Sequence, residues 1–114
     1  MSVKLTTRQV GDVTVIDAVG RITLGEGSSI FRDTLKDLTA KGNKKLLLNL
    51  GEVSYIDSSG IGEMVSGFTS VTNQGGQLKL LNLTKRVKDL LQITKLYTVF
   101  EVFDDEAAAV RSFS

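Results

Sequence analysis

Hydrophobic positions along the chain switch repeatedly between a strand period of two and a helical period near 3.6. Residues 4–10 and 13–19 are rich in Val, Thr and Ile, with Gly11-Asp12 between them. Two residues of that type between β-prone runs predict a tight hairpin. Gly20-Arg21-Ile22 then leaves the second strand, and Leu24-Gly25-Glu26-Gly27 reads as a flexible loop. Ser28 or Ser29 is placed to cap a helix carrying Ile30, Phe31, Leu35 and Leu38 on one side. Lys41 and Gly42 suit the end of that helix, one as a cation near its negative pole and one as a residue free to turn.

The short apolar run Leu46-Leu47-Leu48-Asn49-Leu50 reads as a buried strand. Ile61, Met64, Val65, Phe68 and Val71 recur at helical spacing and predict an amphipathic helix ending near Asn73-Gln74-Gly75-Gly76. Residues 78–83 form a third long strand, and Thr84 caps a helix bearing Val87, Leu90 and Leu91. Residues 99–103 read as the last strand, and Asp104, Asp105 and Glu106 open a final helix at the end its dipole favours for acids. A hairpin followed by alternating helices and strands predicts an α/β fold with a mixed, mostly parallel sheet and about four covering helices. With no internal repeat, low-complexity tract or linker, residues 1–114 are expected to form one domain.

Composition narrows the chemistry. The 114 residues carry 14 basic and 13 acidic side chains, a net charge of +1, where a dedicated nucleic-acid binder needs a strong basic excess. No apolar run approaches the roughly twenty residues of a membrane span, and the N-terminus begins no signal-peptide pattern, so a cytoplasmic protein is expected. Cys is absent, which removes disulfides, thiolate chemistry and soft metal sites. His is absent too, and with it the commonest general base and metal ligand, so no Ser-His-Asp or Cys-His arrangement can be assembled. Neither a cofactor, a metal site nor a catalytic residue is expected.

The chain is organised around Val53-Ser54-Tyr55-Ile56-Asp57-Ser58-Ser59-Gly60-Ile61-Gly62-Glu63-Met64, where a strand hands over to a helix. Small hydroxyl residues at a helix start leave backbone N–H groups pointing outward, an arrangement that attracts negative charge and suits a phosphate. Asp and Ser also cap helices with no further role, and Gly60 can serve close packing alone. A strand, then Asp-Ser-Ser-Gly-Ile-Gly, then an apolar helix resembles the signature of the STAS family, and more narrowly the bacterial anti-sigma factor antagonists. The resemblance extends over nearly the whole chain.

That resemblance implies a STAS fold and a regulatory binding protein without enzymatic activity. It implies that Ser58, directly after Asp57, is phosphorylated by a partner serine kinase that is also the anti-sigma factor, with Ser59 as runner-up acceptor. The unphosphorylated form would bind that kinase and free a sigma factor, and a PP2C-like phosphatase would restore the hydroxyl. Asp57, Ser58, Ser59, Gly60 and Gly62 are the expected partner-binding residues, with Asp57 orienting the Ser58 segment and the two glycines keeping its approach uncrowded. The sequence departs from the family at Thr23, where members often carry an Asp on the surface that faces the kinase. A STAS module that is never phosphorylated, serving as an interaction subunit of a transport or signalling assembly, is the alternative.

Other motifs have simpler readings. Gly25-Glu26-Gly27-Ser28-Ser29 lacks the Gly-Lys-Ser/Thr ending of a P-loop and reads as a loop with a cap. Lys41, Lys44 and Lys45, and Lys85, Arg86 and Lys88, lack interleaved aromatics and read as solvated faces and helix ends. Asp104, Asp105 and Glu106 lack EF-hand spacing. A Ser58 nucleophile would need a lysine or carboxylate base, and no Ser-x-x-Lys follows it.

Overall fold

Gly11, at φ +64°, turns the chain so that β1 (Val3–Val10) runs back along β2 (Val13–Ile22), with Val10 opposite Val13 and Val3 opposite Gly20. The computed structural model describes residues 3–23 and 26–113. After β2 come α1 (Glu26–Ala40), β3 (Lys45–Ile56), α2 (Ser58–Asn73), β4 (Gln77–Leu81), α3 (Lys85–Ile93), β5 (Val102–Phe103) and α4 (Glu106–Arg111). The five strands form one sheet in the order β1-β2-β3-β4-β5, antiparallel in the hairpin and parallel from β2 onward. This is the mixed, mostly parallel α/β architecture that the periodicity predicts.

Alternating side chains on the strands supply two cores. Ile16, Ala18 and Ile22 of β2 and Leu46, Leu48, Leu50, Val53 and Ile56 of β3 pack with Phe31, Leu35, Ile61, Met64, Val71, Val87 and Leu91 from α1, α2 and α3. Val13, Val15, Leu47 and Leu81 point the other way, against Ala109 of α4 and Phe113. Strands whose two faces are both covered read as continuous apolar runs, which is why residues 46–48 carry no polar alternation. The short α4 covers only part of its face. Val19, in the inner strand β2, remains 47% exposed.

Several boundaries differ from expectation, each for a local reason. β3 continues to Ile56 instead of stopping at Leu50, because two register shifts insert extra residues opposite β2. Asp17 to Val19 of β2 faces Asn49 to Glu52 of β3, and Gly20 to Arg21 faces Val53 to Tyr55. Such bulges break the period-two alternation at Gly51-Glu52, so the run reads as ended there. β2 runs on to Ile22 beside it, pairing with Ile56, and does not stop at Val19. α1 begins at Glu26, inside the expected loop, so Ser29 lies within the helix and accepts a hydrogen bond from Arg32 (3.2 Å) instead of capping it. Leu24, Gly25 and the side chain of Ser28 lie outside the described residues.

β4 stops at Leu81 because Asn82 adopts φ +58°. β5 is only Val102–Phe103, since Val99 is held in a turn by its N–H bond to the Leu96 carbonyl (3.0 Å). The end of α1 is as expected: Gly42 sits at φ +89°, donating to the Thr39 carbonyl, while Asn43 donates to that of Leu38.

Candidate functional site

Pairing of Ile22 with Ile56 carries β2 and β3 to a common end, and the chain turns there into α2. Asp57 is the turning residue. Its extended backbone (φ −106°, ψ −178°) is that of an N-cap, and its Oδ1 accepts the Gly60 N–H at 2.8 Å. Its carbonyl accepts from Ile61 N–H (3.0 Å), and its own N–H reaches the Ile22 carbonyl (3.4 Å). Asp57 is therefore tied to both strands and to the helix.

The cap sets the first turn of α2 against the strand ends. Ser58, the first residue of the helix, is exposed, Ser59 is half-buried and Gly60 is buried. A Cβ at Gly60 would overlap the Ile22 carbonyl oxygen and lie 2.7 Å from Ile56 Cγ1. Gly60 therefore packs the helix start onto the strand ends and does not open the approach to Ser58. Gly62 differs: a Cβ there meets no heavy atom within 4 Å, so this side of α2 is open. The result is an exposed hydroxyl at the positive pole of a sixteen-residue helix, beside a carboxylate held in the cap. Thr23, half-buried, follows the Ile22 carbonyl that receives Asp57. Arg32 of α1 reaches Glu63 of α2 at 3.4 Å and ties the two helices together one turn further on.

A neighbouring cluster has no counterpart in the expectations drawn from the sequence. Arg21 and Tyr55 are paired across β2 and β3, on the face opposite α1 and α2. The Arg21 guanidinium lies 4.9 Å from the centre of the Tyr55 ring, and that of Arg86, from the first turn of α3, lies 4.5 Å from it. Both are cation–π distances. Arg86 is exposed, as a solvated face requires, and also takes part in a specific stack. The only signal in the sequence is an aromatic two residues before Asp57, and it says nothing of which cations meet it.

Several of the remaining charges are paired. Lys41 pairs with Asp37 (3.1 Å), Lys45 with Asp12 (2.6 Å) and Lys85 with Asp89 (3.6 Å). Asp105 caps α4 through the Ala108 N–H (3.1 Å). Glu106 joins Asp17 on the Arg8 guanidinium, which holds both carboxyls below their ordinary pKa through hydrogen bonds. A hollow of about 450 Å³ lined by Phe68, Leu78, Lys79, Glu101 and Phe113 lies beside the start of β4, away from Asp57. Its Lys79 is engaged by Glu101 (2.9 Å) and by the Ser112 carbonyl (3.0 Å). Among the described residues no three His, Cys, Asp or Glu side chains gather as a metal site, and no helix is long and apolar enough to cross a membrane.

With a mixed five-stranded sheet, an N-terminal hairpin and a capped Asp-Ser-Ser-Gly at the strand-to-helix turn in place, the class is defined: the chain belongs to the STAS domain family, whose model matches residues 4–109. It is 32% identical over 102 residues to the anti-sigma-B factor antagonist of Bacillus subtilis, covering 90% of this chain and 92% of that protein. In fold it is similar to a Thermotoga maritima protein (TM-score 0.87, 24% identity, 96% of this chain and 93% of that one). It is also similar to the Bacillus cell fate determinant SpoIIAA in its phosphorylated form (TM-score 0.75, 18% identity, 97% and 100%).

Proposed function

We propose that this chain is an anti-sigma factor antagonist controlled at Ser58. In its unphosphorylated form it binds an anti-sigma factor serine kinase in the cytoplasm and so releases a sigma factor. The kinase transfers phosphate from ATP to Ser58, which ends the interaction, and a PP2C-like phosphatase restores the hydroxyl. The domain itself performs no catalysis; residues 1–114 act as a single binding module.

The observation that carries this reading is the exposure of Ser58 directly after a capping Asp57, on a surface where Ser59 is half-buried. Phosphorylation adds about −1.5 to −2 charge at this point. The N-terminus of α2 accommodates negative charge, whereas a partner fitted to a neutral hydroxyl does not. Asp57, Ser58, Ser59 and the open side of α2 at Gly62 form the contact surface, with Gly60 holding it in place.

The test is intact-mass and phosphopeptide analysis of the protein isolated from its own host. Phosphate on the peptide spanning residues 57–60 is expected, with fragmentation placing it on Ser58 and not Ser59, and Ser58→Ala should lose it while remaining folded. Phosphate incorporated as before in that variant would overturn the assignment. Thr23, where the family often carries an Asp, favours a second reading as an unphosphorylated interaction subunit of a transport or signalling assembly. That reading predicts no phosphate under any growth condition, and assembly subunits instead of a kinase in a pull-down.

A further inference from the structure

We propose that Arg21 and Arg86, stacked together on Tyr55, receive an acidic segment of the protein partner that docks at Ser58. The inference rests on the reading of Ser58 as a docking position. Its physical basis is separate, and lies in two cations that the fold orders but does not neutralise.

Among the described residues neither guanidinium takes part in an ion pair or hydrogen bond, whereas Arg8, Arg32, Lys41, Lys45, Lys79 and Lys85 each meet a carboxylate. Glu52, the carboxylate closest along β3, is exposed and bridges to neither arginine. Each guanidinium keeps a planar fork of five N–H donors, suited to two-point contact with a carboxylate. Stacking on the ring fixes their positions, so less rotamer freedom remains to be lost when an acid binds. The same open face carries the exposed Val19, two residue pairs below Arg21. Tyr and Arg around a small apolar contact are the residue types enriched at the centres of protein interfaces.

Closeness along the chain brings the stack within range of a partner at Ser58. Two residues separate Tyr55 from Ser58, so their Cα atoms are at most about 11 Å apart. A standard interface covers about 800 Å² on each side, a patch roughly 16 Å in radius, and so reaches Tyr55 when centred on Ser58. Covering two unpaired guanidiniums with a neutral or basic surface strips their water without compensation. A partner that covers the stack is therefore matched to it by Asp or Glu side chains.

Titration of the full chain with a hexaglutamate peptide, followed by NMR at the arginine Nε–H and Tyr55 ring signals, tests this directly. Saturable shifts at Arg21, Tyr55 and Arg86 are expected, with none from a hexaserine peptide. The Arg21→Gln/Arg86→Gln variant should bind hexaglutamate about tenfold more weakly or worse. Lys85→Gln/Lys88→Gln removes the same charge from exposed positions on the same helix and should stay within about twofold of wild type. Equal losses in the two double variants, or shifts centred on Lys85 and Lys88, would overturn the proposal, since net charge alone would then account for binding. Binding of the purified host anti-sigma factor is measured in parallel, where the arginine variant should associate more slowly and with weaker salt dependence. A wild-type chain without affinity for that factor would sink the functional reading, while the peptide titration would still decide the role of the arginine pair.

Discussion

The carbonyl oxygen of Ile22 occupies the space into which a side chain at Gly60 would project. The contact joins the end of β2 to the first turn of α2, and Ile56 Cγ1 closes the same space from β3 at 2.7 Å. A backbone oxygen cannot rotate away as a side chain can, so Gly60→Ala must shift the helix start itself. A loss of about 1–3 kcal/mol is expected from such overpacking. Gly62→Ala, two residues on and facing open space, should instead gain up to about 1 kcal/mol from the better helix former. Paired urea melts measure both, and equal effects of the two substitutions would refute the asymmetry.

How much of the fold is legible in the sequence depends on how local each determinant is. Element order, the hairpin turn at Gly11, the Thr84 cap and the helix periodicity of α2 rest on nearest-neighbour chemistry, and residue types alone predict them. The family model and the TM-score of the Thermotoga maritima fold agree with the architecture. The far end of β3 is not legible, because two bulges displace its alternation and only the pairing with β2 restores it. The packing role of Gly60 is one of two readings open to the sequence, since the choice depends on Ile22, far away along the chain. The Arg21–Tyr55–Arg86 stack gathers residues from β2, β3 and α3, and no spacing rule links them.

Arg8 holds the hairpin to α4 by bonding Asp17 (2.7 Å) and Glu106 (3.1 Å) at once. Both carboxyls have folded-state pKa values below their ordinary ones, with the hydrogen bonds from Arg8 as the largest cause. A depressed carboxyl pKa stabilises the fold above the ordinary carboxylate range, and that contribution is lost as pH falls through the lowered values. All three side chains are partly solvated, so Arg8→Gln should cost only about 1 kcal/mol at pH 7. The difference between wild type and variant should shrink below about pH 4 and vanish in stronger acid. Denaturant melts at pH 7, 4.5 and 3 read this out, and a gap that widened toward low pH would contradict it.

Lys79 anchors the C-terminal end of α4 from within the sheet. Its side chain is 10% exposed and its ammonium bonds the Ser112 carbonyl (3.0 Å) and hydroxyl (2.9 Å), near the Phe113 ring at 4.7 Å. A cation at that pole of a helix satisfies carbonyls with no partner inside it. Lys79→Met keeps the apolar stem but removes these bonds, and a loss of about 1–2 kcal/mol is expected. Hydrogen exchange should show the loss concentrated in the amides of residues 108–113, with β2 and β3 amides changed little. Uniform deprotection across the sheet would mean that Lys79 serves the core as a whole.

Charge at Ser58 should alter association and leave folding nearly untouched. Negative charge in the first turn of a helix gains about 0.3–1 kcal/mol from the dipole. The neighbouring Asp57 opposes it by about 1 kcal/mol across solvent of high dielectric. The two contributions nearly cancel, so the phosphorylated chain and Ser58→Glu should each melt within a few degrees of wild type. A partner surface fitted to the neutral hydroxyl must instead desolvate the new charge with Asp57 beside it. Leaving a charge buried and unpaired costs about 3 kcal/mol or more, which corresponds to an affinity loss of roughly a hundredfold. Thermal melts of the unmodified and phosphorylated protein, run beside titrations with the host anti-sigma factor, separate the two effects. Loss of folding on phosphorylation would show that the cap at Asp57 cannot hold a second anion, and the switch would then act through stability and not through the interface.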